Sequence, residues 1–147
     1  MFKFISKIGL IVLAFSSILF SGCKDKTPNY PIIPSIEFKQ LVRNADGTGV
    51  LKLNFKDGDH DIGNSVDQGS NLFMELYVKN GSNWDYTLTR PYVVPQMDVK
   101  PNRAYEGEID VALGTPLAMP PVSKYLCYVR DRAGHLSNKV WTDEIIP

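Results

Sequence analysis

The chain is short of several things that would narrow its chemistry. Two cysteines, Cys23 and Cys127, are too few for a cysteine zinc cluster, and two histidines, His60 and His135, leave little for a transition-metal or nucleophilic site. The 16 Lys and Arg residues are matched by 16 Asp and Glu residues, so no basic field exists to draw nucleic acid. No apolar run reaches the ~20 residues that a bilayer-spanning helix needs. Beyond Pro34, no stretch of about ten residues repeats its apolar positions at the helical period of 3.6, so helices should be scarce.

What is present begins with a leader. Lys3 and Lys7 precede an uncharged apolar stretch over residues 8–20, and Phe20-Ser21-Gly22-Cys23 resembles a bacterial lipobox. A peptidase must bind extended backbone beside the modified cysteine, and bulky side chains at Ser21 and Gly22 would block it. Residues 1–22 are therefore expected to be a cleaved lipoprotein signal peptide, with Cys23 acylated and the lipid bilayer a partner through that anchor. The expected location is the bacterial cell envelope, at the outer membrane. Acylation of Cys23 would leave Cys127 without an intramolecular partner, as a small buried hydrophobe. Residues 23–34 are then a lipidated, proline-rich tether, extended to about 30 Å. Residues 35–147 are long enough to bury a core without disulfide staples.

In that domain the apolar period is two. Ile36 and Phe38 alternate with polar neighbours, as do Leu51, Leu53 and Phe55. Leu72, Met74, Leu76 and Val78 form a third strand, and Asn80-Gly81 signals a hairpin into residues 84–88. Ile109, Val111 and Leu113 mark a fifth strand, and residues 122–130 and 139–145 flank a turn at Asp131-Arg132-Ala133-Gly134-His135. About seven short strands without interleaved helices indicate an all-β, antiparallel, immunoglobulin-like β-sandwich, with an open β-barrel as the alternative. Residues 89–102 contain Pro91, Pro95 and Pro101 and read as an irregular crossover, because proline cannot donate to a ladder.

Two segments carry a resemblance. The closing Asp131-Arg132-Ala133-Gly134-His135-Leu136-Ser137-Asn138 resembles the last hairpin of bacterial immunoglobulin-like domains. Together with the lipobox and Asp57-Gly58-Asp59-His60-Asp61-Ile62-Gly63, it resembles small lipoproteins of Bacteroidota that carry an Asp-Gly-Asp-Gly-Asp-Ile-Gly stretch. His60 stands where that stretch has glycine. The resemblance implies an immunoglobulin-like envelope domain and names no activity.

Asp57, Asp59 and Asp61 alternate along a turn-rich segment, so a looping backbone could converge their carboxylates on a hard cation such as calcium, with Asp67, Asn64 and Ser65 near enough to add ligands. An EF-hand is excluded, since Ile62 and Gln68 stand where its glycine and glutamate belong. The alternative is an acidic loop whose aspartates accept backbone amides as Asx-turns. Zinc at His60 is weaker, because a solvated turn histidine is far commoner. Glu106 and Glu108, or Asp143 and Glu144, could be imagined as a glycosidase pair, yet strand alternation puts Glu106, Glu108 and Asp110 on a wet face. Ser137 near His135 lacks the third, oriented member of a triad.

Aromatic side chains are the remaining resource: core packing is their default role, and Trp84, Tyr86 and Tyr92 are the candidate binding patch. The function expected is thus non-catalytic: binding of an envelope protein or glycan, or a structural role. Contacts would lie on the loops 57–71 and 89–102. The alternatives are a calcium-dependent carbohydrate-binding module and an accessory subunit recruited through a sheet edge.

Overall fold

A computed structural model describes residues 29–96, 104–114 and 122–146. The leader, Cys23 and the first part of the tether lie outside the described residues, as does 97–103 of the expected crossover. Among the described residues seven strands form: β1 (Ser35–Arg43), β2 (Gly49–Asp57), β3 (Leu72–Asn80), β4 (Asn83–Tyr92), β5 (Tyr105–Leu113), β6 (Ser123–Val129) and β7 (Val140–Trp141). They make two antiparallel sheets, in the orders β1-β2-β5 and β4-β3-β6-β7. No ladder among the described residues joins the sheets, so the fold is a β-sandwich and the barrel alternative does not form. Among the described residues there is one turn of 3-10 helix, Val66–Gln68, and no α-helix.

The two-residue period dictates which side chains meet. Leu51, Leu53 and Phe55 on β2, with Ile109, Val111 and Leu113 on β5, face Leu72 and Met74 on β3 and Tyr125, Cys127 and Val129 on β6. Each large apolar side chain so buried contributes about 1.5–3 kcal/mol, which is what holds two sheets face to face without a disulfide. Cys127 is fully buried, and burial pushes its thiol up to about 12, so it is inert packing material. The hairpin between β3 and β4 turns through Gly81 at φ 61°, the left-handed first position of a type II′ turn.

Two expectations are corrected at β4. The strand continues through Pro91 to Tyr92, so the irregular stretch starts at Val93 and not at Thr89. Pro91 is tolerated because β4 is the edge of its sheet, where one side of the backbone needs no partner. The strand also contains a register shift. Leu76 pairs with Leu88 but Tyr77 pairs with Tyr86, which leaves Thr87 over. That bulge reverses the facing of every residue before it relative to every residue after it.

The amino-terminal approach packs on the domain. Pro34 is fully buried, the Tyr30 hydroxyl donates to Glu106 Oε2 at 2.6 Å, and the Lys56 ammonium lies 5.5 Å from the Tyr30 ring centre. Gly58 makes room for this: a Cβ there would stand 2.3 Å from the Tyr30 carbonyl oxygen. The sheets are also tied at their rim. The Asn138 side chain accepts from the Ile36 amide at 2.9 Å and donates to the Ile36 carbonyl at 2.8 Å, taking the place of a strand neighbour for β1.

Leu53 sits fully buried in the middle of this core. Leu53→Ala is expected to lower the unfolding free energy by about 2–5 kcal/mol without changing the denaturant m-value, checked by urea titration followed by circular dichroism.

Candidate functional site

The acidic loop begins where β2 runs out. Asp57 is the inward-facing residue after Phe55, so the strand's alternation carries its carboxylate into the protein, where it is fully buried. Its Oδ2 accepts the amides of Asp61 at 2.8 Å and Ile62 at 3.1 Å, which folds residues 57–62 back on themselves. The fold-back needs a left-handed residue, and His60 supplies it at φ 63°, the position where the resembling sequences have glycine. Asp57, Asp59 and Asp61 are thereby gathered, with a carboxylate oxygen from each within 4.8 Å of the others.

The terminal hairpin clamps this loop from outside. The Arg132 guanidinium donates to the carbonyls of Gly63 at 3.1 Å and His60 at 3.3 Å, and the Arg132 amide donates to the Asp61 carbonyl at 3.2 Å. The Ala133 amide donates to Asp61 Oδ2 at 2.9 Å. Asp131 braces the hairpin itself, accepting from the His135 amide at 2.7 Å and meeting its Nδ1 at 2.8 Å. The two segments that carry the sequence resemblance are therefore one unit in space. The expected loops at one end of the sandwich also meet: the Asn64 amide donates to the Val94 carbonyl at 2.8 Å and the Gln96 amide to the Asn64 carbonyl at 3.0 Å.

Electrostatics inside the loop are strained. Burial pushes the Asp57 carboxyl above its ordinary range against the pull of its two amide donors, with Asp59 adding to the rise. Burial pushes Asp61 up to about 6, opposed by the Ala133 amide and reinforced by the nearby charges of Asp131, Asp59 and Asp57.

Several expected ligands do not join. Asp67 lies exposed on the 3-10 turn, where the Ser65 hydroxyl holds its carboxyl below the usual range. Asn64 Nδ2 donates to the Gly69 carbonyl, and Ser65 is the cap of the turn, its amide received by Gln68 Oε1 at 2.9 Å. His60 is not a solvated turn residue but is buried, with its ring edge-on to Tyr105 at 4.5 Å. The imagined carboxylate pair is engaged elsewhere: Glu106 holds Tyr30, and Glu108 is pinned between Lys39 and Lys52, whose hydrogen bonds hold it down at about 2. Ser137 Oγ accepts the Val129 amide and donates to the Asn138 carbonyl, so it is committed to the backbone.

The aromatic patch is larger than expected and differently composed. Tyr92 packs against the core and drops out, because it lies on the inward side of the Thr87 bulge. Trp84 and Tyr86 lie beyond the bulge and join Tyr77, whose ring meets Tyr86 at 5.8 Å and Trp141 at 4.9 Å. Phe73 stacks on Tyr128 at 5.2 Å on the same outer face. Cations lie among the rings: Lys124 Nζ is 4.2 Å from the Trp84 centre and 4.1 Å from that of Trp141, Lys139 is over Tyr128, and Arg130 is over Phe73. Tyr86 is 56% and Trp141 43% exposed. Phe73, Tyr77, Tyr128 and Trp141 were findable from the two-residue period of their strands, which puts them opposite the core residues Leu72, Met74 and Cys127 and the partly buried Val140.

In comparisons with known proteins, no protein-family model matches the chain, and no curated protein or solved structure matches it either.

The raised Asp61 carboxyl fixes a pH dependence. A carboxyl that ionises at about 6 when folded and near 3.8 when unfolded keeps the folded state more protonated between those values, so stability rises as pH falls through that window. In a chelator the melting temperature is expected to be higher at pH 5 than at pH 7, and Asp61→Asn should flatten the difference. Glu108 acts in the opposite sense only at lower pH. Thermal melts of both proteins at the two pH values check this.

Proposed function

We propose that the protein is a lipoprotein of the bacterial envelope, held at the outer membrane through acylated Cys23, whose domain binds a partner and does no chemistry. The observation that carries the binding reading is the outer face of the β4-β3-β6-β7 sheet. Six aromatic rings from all four strands lie there on the side away from the core, in a protein whose other sheet presents Lys39, Lys52, Glu108 and Asp110 to water. The six rings, with Arg130 over Phe73, match the composition of protein interfaces, which favour tyrosine, tryptophan, phenylalanine and arginine.

The chemistry of the face favours a protein partner over a glycan. A sugar ring stacks on the flat face of an indole, and Lys124 already covers both Trp84 and Trp141. An apolar surface rimmed by carboxylates would use the rings and the cations together. The anchoring reading rests on the lipobox sequence that ends at Cys23.

Two experiments test these readings separately. Cys23→Ser should move the protein from the membrane fraction to the soluble fraction and remove the acyl mass from its amino-terminal peptide. A native product without acylation overturns the anchor. For binding, a photo-crosslinking residue at position 86 in intact envelopes should capture one recurrent envelope protein, and Trp141→Ala should reduce that capture at least about tenfold, as expected of a central aromatic anchor. Equal capture from position 110, on the opposite sheet, overturns the aromatic face as the contact surface.

A further inference from the structure

Asp57 presents a problem that the domain does not solve with its own groups. Its Oδ2 is satisfied by two amides, but its Oδ1 is buried with no hydrogen-bond partner, and so are Asp59 Oδ1 and Asp61 Oδ1. Unpartnered buried carboxylate oxygens are costly individually, and three carboxylates gathered within 4.8 Å add mutual repulsion. Among the described residues no ion pair reaches any of the three: Arg132, the nearest clamp, spends its guanidinium on the carbonyls of His60 and Gly63. What the arrangement lacks is a positive charge that sits among the oxygens.

We infer that Asp57, Asp59 and Asp61 form the protein part of a calcium site. Two oxygens bound to one calcium ion at 2.3–2.6 Å can be no more than about 4.6–5.2 Å apart, and the three carboxylate oxygens, all within 4.8 Å of one another, meet that limit. All three donors are hard anionic oxygens, the set that calcium prefers, and water or loop carbonyls would complete its six to eight ligands. Magnesium, at 2.0–2.1 Å, needs a tighter octahedral cluster and keeps most of its water, which a buried Asp57 does not favour. Transition metals would draw on imidazole, and the set of converging donor atoms is three carboxylates without His60.

The fold keeps this set together for reasons visible in the backbone. Asp57 is fixed by β2, Asp61 by the Ala133 amide, and the segment between them by the left-handed His60. The ion would therefore bind a loop already shaped for it and would fasten the end of β2 to the terminal hairpin through Asp61.

The full mature lipoprotein, in detergent and stripped with EGTA, tests this when it is titrated at pH 7 with calcium chloride by calorimetry and thermal melting, with magnesium chloride in parallel. One calcium per chain is expected, with a Kd of about 0.1–1 mM, the range of extracellular modules. At 10 mM calcium the folding equilibrium should then shift roughly ten- to a hundredfold, which corresponds to a melting temperature about 5–10 °C higher. Asp59→Asn, which keeps the side-chain shape and removes one charge, should weaken calcium binding at least about tenfold. Asp57→Asn is less suitable, because that buried group also shapes the loop. Absence of both heat and a thermal shift at 10 mM calcium overturns the site. So does undiminished binding by Asp59→Asn, and magnesium bound as tightly as calcium overturns the choice of ion.

Discussion

A carboxylate buried at the end of a strand is the constraint around which one end of this molecule is arranged. The inward side of β2 carries Leu51, Leu53 and Phe55, and the next inward residue is Asp57. Burying that charge is costly, so the chain must return two amides to it at once, and it does so by curling residues 58–62 around it. The curl forces His60 into a left-handed backbone, brings Asp59 and Asp61 alongside, and exposes loop carbonyls that Arg132 then grips. The terminal hairpin is held against β2 by these contacts and not by a ladder.

The strands themselves were readable because they owe little to anything but alternation. Where one face of a sheet is buried, an apolar residue at every second position is both necessary and visible, and it marks β1, β2, β3 and β5, while turn signals at Asn80-Gly81 and Asp131 to His135 mark β4, β6 and β7. The facing of β4 was not readable. Trp84, Tyr86 and Tyr92 share parity, so regular alternation places them together. Only the pairing with β3 reveals that Thr87 is supernumerary and sends Tyr92 inward. Pro91 misled for a related reason: its missing donor matters in a central strand, and whether a strand is central depends on topology.

The acidic loop was half legible. Alternating aspartates and glycine announced a tight acidic turn, but which carboxylates converge depends on the amides that Asp57 captures. Asp67, ten residues along, is carried away by the 3-10 turn that Ser65 and Gln68 cap. The clamp from Arg132 was beyond sequence reasoning, since 69 residues separate it from Gly63. Both partners stand out as separate motifs, and their meeting is a property of the path that returns the last hairpin to the end of β2.

The position of the amino-terminal segment bears on how the domain would carry tension. The chain enters beside Gly58 and feeds β1, which belongs to the three-stranded sheet, while the aromatic face lies on the other sheet. A pull applied between those two places cannot run along a single hydrogen-bonded ladder. It must cross the sandwich through interdigitated side chains, through the two hydrogen bonds between Asn138 and Ile36 and through the Arg132 and Ala133 contacts with residues 60–63, so the mechanical strength of the domain is set by the grip between layers more than by the zippering of any strand.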